Sequence, residues 1–147
     1  MTPGQTVGPF FGMALPYEGG AAVVPPDHPH PVELSGRVLD GDGEPVPDAL
    51  LEIWSAAGFG RVATDPQGRY GFRTALPVSF WTLAVFARGL PHRLFTRVYA
   101  PGAPEDALLA SLPEDRRRTL LASGDDRRLS FDVRLQGESE TVFLIYE

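Results

Sequence analysis

The chain has 147 residues, 43% hydrophobic and 22% charged, which suits one domain around one core. It contains no cysteine, which excludes a disulfide scaffold, a cysteine-ligated zinc site and a thiol nucleophile and fits a reducing compartment. A formal net charge of −6 speaks against a nucleic-acid partner, and no apolar window reaches membrane-span length.

The opening MTPGQTVGPFF lacks a basic stretch ahead of an apolar run, so no secretory signal is predicted and a cytoplasmic protein is expected. Residues 1–31 are rich in Pro and Gly and read as an extended arm, ordered by what it packs against; residues 32–147 read as one β-sandwich domain. Val32 to Leu39 alternates with period two, the pattern of a strand. DGDGEPVPD (Asp40 to Asp48) is dense in turn formers, and ALLEIW (Ala49 to Trp54) is the next strand. GFGRVAT (Gly58 to Thr64) and RYGFRT (Arg69 to Thr74) flank the tight turn DPQG, in which Pro66 presets φ.

SFWTLAVFA (Ser79 to Ala87) is apolar almost throughout, which predicts a strand covered on both faces. RLFTRVY (Arg93 to Tyr99) alternates again. Pro104 and Pro113 each precede acidic and then apolar residues at helical spacing, which predicts short helices near 105–111 and 113–122. RLSFDVRL (Arg128 to Leu135) and ETVFLIYE (Glu140 to Glu147) are read as closing strands joined by a turn at QGES. The expected fold class is therefore all-β: a single sandwich of about eight strands, with one or two short helices before the last two.

Few residues are candidates for chemistry. The three histidines are His28, His30 and His92. His28-x-His30 has the spacing of a metal pair, but PDHPHP is not a competent ladder strand, so a structural role is the better reading. No nucleophile elbow, phosphate loop or zinc-protease motif is present. Arg88 stands at the end of the most apolar segment and is followed by Gly89, which puts a charge at the rim of the sandwich, where ligand sites form. By position alone a surface arginine at a strand end is the better explanation.

QTVGPFF (Gln5 to Phe11), GRVLDGDGEPVPDALLEIW (Gly36 to Trp54), FGRVATDPQGRYGF (Phe59 to Phe72), VFARGL (Val85 to Leu90), LFTRVY (Leu94 to Tyr99) and SFDVRLQGESETVF (Ser130 to Phe143) together resemble the intradiol ring-cleaving dioxygenases. The likeness is to the alpha chains of the protocatechuate 3,4-dioxygenase kind and runs in order along nearly the whole chain. It implies a β-sandwich and an O2-dependent opening of the catechol ring of protocatechuate between its two hydroxylated carbons, giving 3-carboxy-cis,cis-muconate in aromatic catabolism. It implies a non-haem Fe(III) held by two Tyr and two His of a partner beta chain and not by this chain. It places Thr6, Gly8, Pro9 and Arg88 as this chain's substrate-binding contacts, with no catalytic and no metal-binding residue. In SFWTLAVFARG, Phe80, Trp81 and Thr82 stand where the iron-carrying chains have imidazoles. Phe10, Phe11, Phe80 and Trp81 are then expected to be buried against the partner.

Two departures from that family mark the loops near Ala57 and Val78, both shorter than usual. The alternative reading is a non-enzymatic module of the transthyretin or carboxypeptidase-regulatory kind, which shares the GRVLDGDGEPVPDALLEIW turn but not QTVGPFF or FARGL.

Overall fold

Alternating apolar residues draw the chain into two stacked sheets. In the computed structural model, which describes residues 3, 4, 6, 8 and 11–146, β1 (Val32–Leu39) pairs antiparallel with β4 (Arg69–Thr74). On its other side β1 pairs in parallel with β8 (Arg128–Ser130) and then β9 (Val133–Arg134), while β7 (Ser123–Gly124) adds to β8. The second sheet runs β3 (Gly58–Ala63), β2 (Leu50–Ser55), β5 (Trp81–Phe86), β6 (Leu94–Val98), antiparallel throughout. Leu34, Val38 and Phe72 from the first sheet meet Leu51, Ile53, Leu83 and Val85 from the second in one apolar core.

Period two places β1 and β4 within the bounds read from the sequence. The sandwich with short late helices is also observed: α2 (Ala107–Ser111) and α3 (Glu114–Arg118). Asp106 caps α2 by accepting from the Leu109 N–H at 3.0 Å, which satisfies one of the orphan donors of the first turn. Three short strands follow these helices rather than two long ones.

The stretch Arg128 to Leu135 runs parallel to β1 in one register, and the pairing is interrupted where the Phe131 backbone packs against Gly36. A Cβ on Gly36 would lie 1.8 Å from the Phe131 carbonyl oxygen, so only glycine fits there. At the break, the Tyr70 hydroxyl donates to that oxygen at 2.6 Å, and the Asp132 carboxylate accepts from the Arg37 N–H at 2.9 Å. The expected last strand is reduced to one bridge, in which the Leu144 N–H donates to the Phe95 carbonyl at 2.7 Å along the outer edge of β6.

One expectation is corrected here. Trp81 points into this chain's own core, fully buried, with its indole N–H 3.3 Å from the Thr74 hydroxyl, and is not available to a partner. The apolar run around it hides the period, so the sequence could not say which side faced inward. Phe80 is half-buried against Tyr99, and Phe10 lies outside the described residues.

The N-terminal segment forms a single helical turn, α1 (Phe11–Ala14), and then crosses both sheets at their edges. Gly20 accepts from the Arg61 N–H of β3 at 2.7 Å, and Ala21 accepts from the Arg73 N–H of β4 at 2.9 Å. The β2–β3 connection closes as a hairpin over Ala56 and Ala57, with Ser55 opposite Gly58. Among the described residues no helix is long and apolar enough to cross a membrane.

Candidate functional site

The register of the four-stranded sheet fixes what its outer face displays. Leu51, Ile53, Leu83 and Val85 face the core, so Glu52 and Trp54 on β2, Thr82 and Phe86 on β5, and Phe95 and Arg97 on β6 face away from it. This face is arginine-rich and aromatic. Arg61 of β3 forms an ion pair with Glu52 at 2.6 Å and lies 5.4 Å from the Phe59 ring centroid. Arg61 is thus the counter-charge for Glu52, which is only 8% exposed.

At the far end of this face a tight cluster forms. The Arg97 guanidinium sits 4.0 Å over the Phe80 ring and 3.2 Å from the Asp106 carboxylate. The buried Tyr99 hydroxyl donates to the same carboxylate at 2.8 Å. Burial pushes the Tyr99 hydroxyl above its ordinary pKa, and the hydrogen bond to Asp106 adds to that against the opposing effect of Arg97. Burial pushes the Asp106 carboxyl up, but the Leu109 N–H, the Tyr99 hydroxyl and Arg97 outweigh it and hold the carboxyl below the usual range. The cluster also anchors α2, since Asp106 is its N-cap.

At the other end the face opens into a cleft of about 820 Å³, lined by Thr6, Phe86, Ala87, Arg93, Phe95 and Tyr146 among others. A second hollow of about 580 Å³ shares Phe86, Arg93, Phe95 and Tyr146 and extends over Glu52 and Trp54. The walls are mostly apolar, with a few polar groups, which is the usual make-up of a small-molecule site.

The residues expected from the sequence are placed as follows. Thr6 lines the cleft. Gly8 is exposed, and a Cβ there would meet nothing within 4 Å, so any close approach must come from outside this chain. Pro9 lies outside the described residues. Arg88 follows Ala87, but its guanidinium turns to the Asp48 carboxylate at 3.5 Å, with side-chain exposures of 60% and 59%. The structure thus brings Thr6 to the cleft and leaves Arg88 beside it, in a solvated ion pair of the kind worth little by itself. Sequence reasoning missed Arg93, Phe95, Tyr146 and the Arg97–Tyr99–Asp106 cluster. The alternation in RLFTRVY was the available signal, but it gives two faces without saying which one is covered.

Among the described residues the donors for a ferric ion are not assembled into one set. Such a site wants several phenolates and imidazoles together. Tyr70 is buried with its hydroxyl spent on Phe131, burial and then the nearby Asp132 pushing its pKa far up, and the Tyr99 proton is held by Asp106. At the start of β5 the positions of interest carry Phe80, just ahead of the strand and beneath a guanidinium, and Thr82. His28 and His30 sit together in the N-terminal segment, the His30 N–H 3.2 Å from His28 Nδ1, while His92 lines the cleft. Among the described residues no three His, Cys, Asp or Glu side chains cluster. The described residues do not fit iron.

No family model matches the chain. It is 34% identical to the protocatechuate 3,4-dioxygenase alpha chain of Burkholderia cepacia, over 97% of this chain and 95% of that one. That alignment runs over 189 positions against 147 residues here, so the relative carries insertions. Similarity to the protocatechuate 3,4-dioxygenase beta chain of the same organism is lower, 28% over 75% of this chain and 66% of that one. Among solved structures, the dioxygenase domain of a dioxygenase carbohydrate-binding fusion from Streptomyces sp. SirexAA-E superposes with a TM-score of 0.65 at 24% identity, covering 80% of this chain and 87% of that one.

Proposed function

Since the chain belongs to the intradiol ring-cleaving dioxygenase family, on the side of the protocatechuate 3,4-dioxygenase alpha chains, we propose that it is the iron-free subunit of a two-chain enzyme that cleaves protocatechuate. The observation that carries this reading is a conjunction. The likeness to an alpha chain spans 97% of the sequence, and the strand positions that would carry imidazoles hold Phe80, capped by Arg97, and Thr82. A beta partner supplies Fe(III) and its tyrosine and histidine ligands, and the assembly works in the cytoplasm. Both atoms of O2 end in the product, 3-carboxy-cis,cis-muconate, so no further co-reactant is needed.

This chain's part is to wall the substrate pocket. Thr6, Gly8 and Pro9 supply a lip, and the bare Gly8 lets the partner or a ring come close. Arg88 supplies positive charge near the anionic substrate or the ring-opened acid. The non-enzymatic module reading accounts for the DGDGEP turn but not for similarity over the whole chain.

Co-expression with the beta chain from the same source tests the reading. The assembled protein is expected to hold iron, show tyrosinate-to-iron colour and consume O2 with protocatechuate, whereas this chain purified alone binds no stoichiometric iron. A one-to-one coloured iron site in the isolated chain would overturn the division of labour. Arg88→Ala in the assembled enzyme is expected to lower kcat/KM for protocatechuate roughly ten- to a hundredfold, the loss of a charge-assisted contact of about 1.5–3 kcal/mol. Turnover within about twofold of wild type would make Arg88 a surface residue.

A further inference from the structure

Four arginines border the outer face of the four-stranded sheet, and three are matched with carboxylates: Arg61 with Glu52, Arg97 with Asp106, and Arg88 with Asp48. Arg93 is different. Among the described residues no acidic side chain lies within ion-pair distance of it, yet its guanidinium is seated 4.9 Å over the Phe95 ring. It lines both the 820 Å³ cleft and the adjoining 580 Å³ hollow, and it is the arginine common to the two. Around it stand Phe86, Phe95 and Tyr146, and Glu52 in the same hollow is already paired to Arg61.

We infer that Arg93 is a specificity-determining residue of this cleft, which takes an aromatic carboxylic acid, the guanidinium holding the carboxylate and the phenylalanines taking the ring. Three arguments carry this. An arginine fork matches a carboxylate in two parallel hydrogen bonds, and stacking on Phe95 holds the fork in place before binding, so less side-chain freedom is lost. The walls bury a ring, and among the described lining residues Arg93 is the one arginine and there is no lysine, so the charge preference falls on Arg93. Arg61 and Arg97 are held in partly buried ion pairs that a ligand would have to displace, and Arg88 does not line either hollow. The choice of a ring acid rests on the function proposed above; the anion preference rests on the cleft itself.

The test is calorimetric titration of the full chain alone with benzoate, 3,4-dihydroxybenzoate and catechol at low salt. Both acids are expected to bind saturably, at least tenfold more tightly than catechol, which has the ring without the carboxylate. Arg93→Gln is expected to bring the acids down to the level of catechol, and Arg93→Lys to recover part of the preference, because lysine keeps the charge without the fork. The thermal midpoint of both variants should match wild type, since the side chain is exposed. Absence of saturable binding of the acids, equal binding of catechol, or an undiminished preference in Arg93→Gln would each overturn the inference. Failure of the proposed function is a separate result, read as a wild-type two-chain complex that holds iron but leaves protocatechuate uncleaved.

Discussion

The two faces of the four-stranded sheet are built from the same strands and differ in almost everything else. On the inner face Leu51, Ile53, Trp81, Leu83, Val85 and Val98 are all at most 1% exposed and belong to one apolar core. On the outer face Glu52, Arg61 and Arg97 are charged and paired, Trp54 is 38% exposed, and the cleft opens beside Arg93. Successive residues of β2, β5 and β6 thus face the core and the outer surface in turn, because side chains alternate across a strand. Stability and binding should therefore be separable by substitutions one residue apart.

The largest expected effect is on the inner face. Leu83→Ala removes a fully buried side chain from the centre of β5 and should cost about 2–5 kcal/mol of unfolding free energy in urea denaturation. A cost below about 1 kcal/mol would mean that the two sheets do not pack as described. Next comes the clasp at the far end of the outer face. Asp106→Ala loses the cap of α2 and the carboxylate shared by Arg97 and Tyr99, and should cost about 1–2 kcal/mol by the same measurement.

The pH dependence of that clasp sharpens the comparison. The Asp106 carboxyl is held below its ordinary pKa in the folded chain, so its charge stabilises the fold above the unfolded value of about 3.9 and ceases to do so as pH falls through the folded value. Asp106→Asn keeps a capping oxygen without the charge. Its stability should fall short of wild type at pH 7, and the gap should narrow as pH falls below the unfolded value of about 3.9. A gap that persists in acid would assign the loss to packing instead. The smallest effect belongs to the open part of the face: Trp54→Ala, which touches Phe59 at 5.0 Å between centroids, should cost less than about 1 kcal/mol. A loss as large as that of Leu83→Ala would remove the distinction between the faces.

By itself the sequence determined the strands whose apolar residues alternate, the turn at Asp65 to Gly68, the short helices after Pro104 and Pro113, and the likeness to the intradiol dioxygenases through QTVGPFF, FARGL and RLQGESETVF. Each of these is written in residues close together in the chain. The tertiary structure alone decided that Trp81 points inward, because an unbroken apolar run has no period to read. It alone decided that β8 and β9 are separate pieces parallel to β1, interrupted where Gly36 meets Phe131, 95 residues away. Arg88 and Arg93 make the same point at the site. They bound one short loop and look alike in sequence, yet one meets Asp48, 40 residues earlier, and the other meets Phe95 and the cleft. Which carboxylate an arginine finds depends on how the chain returns, and that is a property of the packed sheets rather than of any local pattern.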